Sequence, residues 1–192
     1  MSGTVNVPNL ITVARFISVP FIIWLIISEE LAYAFYVFVL AGLSDALDGF
    51  LARRFATRTR LGAYLDPAAD KALLVSVYVT LGLKGALPFW LVMLVVCRDF
   101  LIIGAVLISR FLSLPVQITP LFMSKFNTTA QILLAALILG QAVFAIDLSV
   151  FVIAGIYIVA ATTVISGFAY LAVWLKAATN WEQTIRQEGP RQ

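Results

Sequence analysis

Residues 31–83 read LAYAFYVFVLAGLSDALDGFLARRFATRTRLGAYLDPAADKALLVSVYVTLGL. Two long apolar runs flank a short basic loop. Asp45 and Asp48 close the first run, Asp66 and Asp70 open the second, and Arg53, Arg54, Arg58 and Arg60 lie between them. A helix crossing the hydrocarbon core needs about 20 mostly apolar residues. The stretch therefore reads as two membrane helices joined by a short turn, with four carboxylates gathered toward one membrane face.

The sequence on either side has the same character. Of 192 residues, 62% are apolar and only 12% charged, against about 25% charged in a soluble domain. That leaves too few polar side chains to cover a globule in water, which excludes a soluble fold and makes the chain an integral membrane protein of all-α class. Runs of spanning length occupy residues 8–28, 31–53, 62–83, 88–110, 126–145 and 148–175, giving a bundle of six transmembrane helices. Pro8, Pro88, Pro115 and Pro120 mark breaks. The sixth run is long for one span and is expected to tilt or to continue past the bilayer. Residues 1–176 form one domain and 177–192 a polar tail, either a short surface helix around Trp181 or loose chain. Trp24, Trp90 and Trp174 lie near span ends and are read as interfacial anchors.

Charge sets the orientation. Arg53, Arg54, Arg58 and Arg60 follow the second span, Arg110 and Lys125 bracket the loop after the fourth, and Lys176, Arg186 and Arg191 lie in the tail. The opposite loops hold Glu29, Glu30 and Asp147 with Lys84 alone. Basic loops stay cytoplasmic, so both termini and the two long loops are expected there. The first span begins near Pro8 without a basic n-region or cleavage site, which argues against a presequence. With no histidine, any general base must be a carboxylate, Lys, Tyr or Cys. Cys97 is the single cysteine and forms no internal disulfide.

A carboxylate inside a span costs roughly 2.5–3.5 kcal/mol near the helix centre and less near the interface. One aspartate at a helix end is ordinarily solvated and paired with a nearby arginine. Four at this spacing are different. Asp45 and Asp48 are three apart and share a helical face, which Gly49 and Ala52 extend with small side chains. Gly62, Asp66 and Asp70 follow at intervals of four on the next helix. Arg53 and Lys71 could offset two of the charges, leaving an excess that divalent cations between the carboxylates would neutralise. Oxygen-only donors suit Mg²⁺ or Mn²⁺, and the pattern reads as a two-metal site for a diphosphate.

The pattern Asp45-x2-Asp48-Gly49-x2-Ala52-Arg53-x8-Gly62-x3-Asp66-x3-Asp70 resembles, at every fixed position, the signature of the CDP-alcohol phosphotransferases. The resemblance extends over nearly the whole chain, from Pro8-Asn9-Leu10-Ile11-Thr12 to the end of the sixth span. It implies that Asp45, Asp48, Asp66 and Asp70 hold two divalent cations, with Asp70 also acting as general base on an acceptor hydroxyl. It implies that Gly49, Ala52 and Gly62 make room for the cytidine nucleotide of CDP-diacylglycerol, that Arg53 contacts its phosphates, and that Asn9 and Thr12 add nucleotide contacts. Further implications are a homodimer in the cytoplasmic (inner) membrane of a bacterium, with the active site on the cytoplasmic side. Membrane lipids are the expected surroundings, and no nucleic-acid partner is expected.

The acceptor is read from the second half. Arg98 and Asp99 stand inside the fourth span, and Ser124-Lys125-Phe126-Asn127-Thr128-x2-Gln131 enters the fifth. Successive helical residues do not face each other, so Arg98 and Asp99 are expected to find different partners. Two roles are open to Arg98, a buried structural pairing or a substrate contact. Arg110 and Lys125 either face lipid headgroups or join Arg98 in a pocket for a phosphate on the acceptor. The Arg-Asp and Ser-Lys-x-Asn-Thr-x2-Gln forms resemble the cardiolipin-forming branch of the family, whose acceptor is phosphatidylglycerol, more than the branch using glycerol 3-phosphate. A small cation or proton transporter built on the buried carboxylates is the alternative of another class. Such a pathway would distribute its acids across the membrane depth, and here they cluster near one face.

Overall fold

The computed structural model describes the backbone of residues 7–55, 60–111, 122–144 and 146–188, and the side chains of residues 14–44, 69–105, 109, 122–144 and 146–175. Among the described residues the fold is six helices: α1 (Val7–Ile27), α2 (Leu31–Phe55), α3 (Arg60–Leu83), α4 (Phe89–Phe111), α5 (Phe122–Phe144) and α6 (Ser149–Glu188). They fall on the six apolar runs. Two of them, over Phe122–Phe144 and Ser149–Leu175, are long and apolar enough to cross a membrane. The α6 helix continues without a break through the polar segment to Glu188, so that segment is helical up to there rather than loose.

Neighbouring helices close a ring in the order α1, α2, α5, α6, α4, α3 and back to α1, with α3 also touching α5 across the centre. Among the described residues α1 stands between α2 and α3, which do not pack on each other. The core is apolar side chains from all six helices, Ile22, Phe38, Tyr78, Leu91, Leu134 and Val159 among them. Close approach needs small residues where helices meet. A Cβ on Gly82 of α3 would stand 2.7 Å from Val92 Cγ2 of α4, and one on Gly155 of α6 2.9 Å from Leu134 Cδ1 of α5.

Polarity is inverted relative to a soluble domain. Large apolar side chains such as Phe100, Phe122, Leu133 and Val150 are exposed, while Arg15, Arg98, Asp99, Asn127, Gln131 and Ser166 are buried. A surface this apolar suits lipid rather than water, and buried charges demand partners.

Two of the short connections at the end away from the signature aspartates turn on left-handed residues. Glu29 has φ 64° and Gly85 φ 76°. After α1 the Glu30 amide bonds the Leu25 carbonyl at 2.9 Å, and after α3 the Ala86 amide bonds the Leu81 carbonyl at 2.9 Å. Both are the six-to-one closure that ends a helix and reverses the chain. Lys84 ties the two turns together, donating to Glu29 Oε1 at 2.8 Å, and that bond with its charge holds the Glu29 carboxyl below the usual glutamate range.

Candidate active site

At the opposite end stand the helix turns that carry the chemistry-bearing residues, with α1 between the α2 and α3 sets among the described residues. The last turns of α2 carry Asp45, Asp48, Gly49, Ala52 and Arg53, and the first turns of α3 carry Gly62, Asp66 and Asp70. Asn9 and Thr12 lie on α1 and Arg110 on α4. Of these, only Asp70 has its side chain among the described residues; the side chains of the others lie outside them.

Asp70 is the described end of the signature. Its Oδ1 accepts from Arg15 Nη1 of α1. The Arg15 side chain is 2% exposed and that of Asp70 46%, so the pair is anchored in protein at the arginine and open at the carboxylate. Ser18, one turn on, bonds back to the Arg15 carbonyl at 2.7 Å. Arg15, Ser18, Leu40, Ala41 and Ser44 line a cleft of about 250 Å³ between α1 and α2. Sequence reasoning passed over Arg15. The signal was present: an arginine inside the first apolar run, three residues after Thr12, is by default functional.

The next residue of α3 turns the other way. Lys71 Nζ donates to Asp99 Oδ2 of α4 at 2.7 Å, rather than offsetting the signature aspartates as the sequence suggested. Asp99 Oδ1 accepts from Arg98 Nη1 at 2.7 Å, which corrects the expectation that these successive residues avoid each other. The rule concerns the directions in which side chains leave the helix, and the long arginine curls back to reach its neighbour. Burial supplies the drive, because both side chains are about 5% exposed or less and water is not at hand to solvate them. Each also has a partner elsewhere, as expected. Arg98 Nη2 donates to Ser124 Oγ of α5 and to Ser166 Oγ of α6, both at 2.6 Å. Ser166 was not foreseen, since one serine in an apolar run carries no signal of its own.

One turn along α5, fully buried Asn127 accepts from Thr162 and Thr163 of α6 at 2.8 and 2.9 Å. Tyr78 of α3 donates to the Gln131 carbonyl at 3.0 Å. Lys125 is exposed at the start of α5. The Ser-Lys-x-Asn-Thr-x2-Gln motif thus divides by helix face, with Ser124, Asn127 and Gln131 turned inward and Lys125 outward.

The arrangement is chemically asymmetric. One carboxylate, fixed by an arginine, remains reachable beside two acidic helix ends, while a chain of charges from Lys71 through Asp99 to Arg98 links α3 to α4, α5 and α6. The donor set Asp45, Asp48, Asp66 and Asp70 is oxygen only and fits hard divalent cations in its chemistry.

Known proteins are similar to this chain over most of its length. The cardiolipin synthase (CMP-forming) of Homo sapiens is 36% identical over 181 residues, covering 86% of this chain and 60% of its own length. The cardiolipin synthase (CMP-forming) / mitochondrial hydrolase fusion protein of Schizosaccharomyces pombe is 34% identical over 180 residues, again 86% of this chain but 30% of the relative. The CDP-diacylglycerol–glycerol-3-phosphate 3-phosphatidyltransferase 1, chloroplastic, of Oryza sativa subsp. japonica is 37% identical over 183 residues, 86% of this chain and 56% of the relative. The chain thus spans less than two thirds of the length of each. Residues 5–181 match the family described as CDP-alcohol phosphatidyltransferase, and the chain belongs to that family.

Proposed function

We propose that the protein transfers the phosphatidyl group of CDP-diacylglycerol to an alcohol and releases CMP, and that its acceptor is phosphatidylglycerol, giving cardiolipin. The observation that carries this reading is the complete signature on α2 and α3, ending in an Asp70 that Arg15 anchors and that remains half-exposed. Asp45, Asp48, Asp66 and Asp70 would hold two divalent cations, Mg²⁺ or Mn²⁺, which when bound neutralise charge on the diphosphate. Asn9, Thr12, Gly49, Ala52, Arg53 and Gly62 would receive the nucleotide and its phosphates.

Asp70 takes the proton of the acceptor hydroxyl, a carboxylate being a natural base in a chain without histidine. The hydroxyl oxygen bonds to the phosphorus bearing diacylglycerol, the bridging P–O bond breaks, and CMP leaves with the bridging oxygen. Arg15 keeps Asp70 from rotating away. Arg98, Arg110 and Lys125 would meet the acceptor's phosphate, with Arg98 placed by Asp99, Ser124 and Ser166. The reading includes six membrane spans, the active site and both termini at the cytoplasmic face, and a homodimer.

Glycerol 3-phosphate is the second acceptor to consider, favoured by the rice relative whose name specifies it. One assay decides. Purified protein receives labelled CDP-diacylglycerol and Mg²⁺ or Mn²⁺ with each acceptor in turn. Cardiolipin from phosphatidylglycerol, lost on chelation, is the expected result. Product with glycerol 3-phosphate alone reverses the acceptor, and ion flux in liposomes without any CMP formation restores the transporter.

A further inference from the structure

Successive helical residues stand about 100° apart around the axis, and on α3 the arc between Asp70 and Lys71 holds Leu74 and Tyr78. Both are buried, and Tyr78 reaches across the ring to the Gln131 carbonyl of α5 at 3.0 Å. That arc therefore faces the centre of the bundle, with Asp70 on its α1 side and Lys71 on its α4 side. Both flanking side chains are open, Asp70 46% and Lys71 32% exposed. A carboxylate and an ammonium thus border one inward-facing arc at the level of the signature.

Lys71 has donors to spare. An ammonium carries three N–H groups, and Asp99 Oδ2 takes one of them at 2.7 Å. Asp99 does not depend on that bond for its compensation, because its other oxygen holds Arg98 Nη1 at 2.7 Å. Arg98 itself is 4% exposed, and its Nη2 is spent on Ser124 and Ser166. Of these three charged side chains Lys71 is the open one, and Asp99, braced by Arg98, fixes where its ammonium stands.

The acceptor's own covalent structure limits where its phosphate can lie. In phosphatidylglycerol and in glycerol 3-phosphate alike, three carbons and one oxygen join the attacking hydroxyl to phosphorus, a span of about 6 Å at full stretch. With the hydroxyl at Asp70, the phosphate falls within reach of the neighbouring lysine. We infer that Lys71 donates to the phosphate of the acceptor while Asp70 holds its hydroxyl, with Asp99 as the positioning carboxylate. The inference rests on the phosphatidyl-transfer reading and adds a contact on α3 to the cations named there. The ligand is the acceptor rather than the donor, because Asn9, Thr12, Gly49, Ala52 and Arg53 stand on α1 and α2, whereas Lys71 turns toward α4.

The test crosses acceptor charge with the variant, using full-length protein in detergent micelles with CDP-diacylglycerol and Mg²⁺ or Mn²⁺. The acceptors are phosphatidylglycerol and its neutral methyl phosphotriester, and glycerol 3-phosphate and glycerol. Lys71→Gln leaves Asp99 to Arg98, and its melting point is followed alongside; Lys71→Met serves as the second variant. With the charged acceptor that the wild type uses, Lys71→Gln should raise KM roughly tenfold, and the preference for the charged over the neutral acceptor should fall by the same factor. Lys71→Arg should recover most of that loss. Equal losses with charged and neutral acceptors, or no loss, overturn the contact and leave phosphatidyl transfer standing. A raised KM for CDP-diacylglycerol gives Lys71 to the donor and overturns it too. Use of glycerol 3-phosphate instead of phosphatidylglycerol reverses the acceptor reading, and a loss confined to that anion still supports Lys71. A wild type that forms no CMP with any of the four overturns both.

Discussion

Lys71 and Asp99 join α3 to α4, ammonium to Oδ2 at 2.7 Å, and the other oxygen of Asp99 carries Arg98. Asp99 is therefore shared by two cations in a buried setting, with its side chain 5% exposed. Removing one member of a buried charge group leaves the others uncompensated, a loss of about 3–5 kcal/mol. Asp99→Ala should accordingly be among the most destabilising single changes in the bundle. Thermal unfolding in detergent checks it, and a melting point within a degree or so of wild type would mean that the network contributes little.

Arg15 predicts a functional phenotype of a different kind. It touches Asp70 and is buried against α1's neighbours, so it acts as a positioning residue. Arg15→Ala should lower kcat about a hundredfold, within the range of general acid–base contributions, with little change in KM for CDP-diacylglycerol. Arg15→Lys should recover part of the loss by keeping the charge without the guanidinium's geometry. Asp70→Asn should abolish CMP release while the protein still folds. Full turnover by Asp70→Asn removes the base assignment, and an unchanged kcat in Arg15→Ala removes the positioning role.

The helices were legible because spanning length is a coarse, cumulative signal; each of the six apolar runs became a helix, with ends displaced by a few residues. The signature was legible because its spacing is long and specific. Pairing was not. Lys71 read as a neighbour of the aspartates because it is adjacent in sequence, yet a helix sends residues 70 and 71 toward different helices, and only the ring order decides that these are α1 and α4. Trp174 read as an interfacial anchor like Trp24 and Trp90. Those two are about half exposed or more, whereas the Trp174 nitrogen is buried. A span-end position does not reveal which side of a helix meets another.

The Gly82 contact predicts a reversal of sign. A Cβ at Gly82 would stand 2.7 Å from Val92 Cγ2, and valine's branched side chain has little freedom to yield. Overpacking costs about 1–3 kcal/mol, which exceeds the roughly 1 kcal/mol that alanine gains over glycine within a helix. Gly82→Ala should therefore destabilise the wild type. In a Val92→Ala background the clash is gone and only the helix gain remains, so the same change should stabilise. A double-mutant cycle on thermal unfolding measures the coupling, and additive effects would show that α3 and α4 separate easily at this level.

Asp147 predicts a pH dependence at the start of α6. Its Oδ1 accepts from the Ser149 amide at 2.9 Å and from the Ser149 hydroxyl. These bonds, the hydroxyl's first, hold the carboxyl below the ordinary aspartate range. A carboxyl with a lower pKa in the folded state binds fewer protons there than when unfolded near and below pH 4. Its stabilising effect is thus fully present above the unfolded value and is lost as pH falls through the folded one. Asp147→Asn keeps an acceptor for the Ser149 amide and discards the titration; Asp147→Ala discards both. The melting point of the wild type should fall below pH 4 more steeply than that of Asp147→Asn, while Asp147→Ala should melt slightly lower at neutral pH with the same flattened acid response. Parallel acid curves for wild type and Asp147→Asn would show that this carboxyl titrates alike in both states and that the contact with Ser149 does not persist in solution.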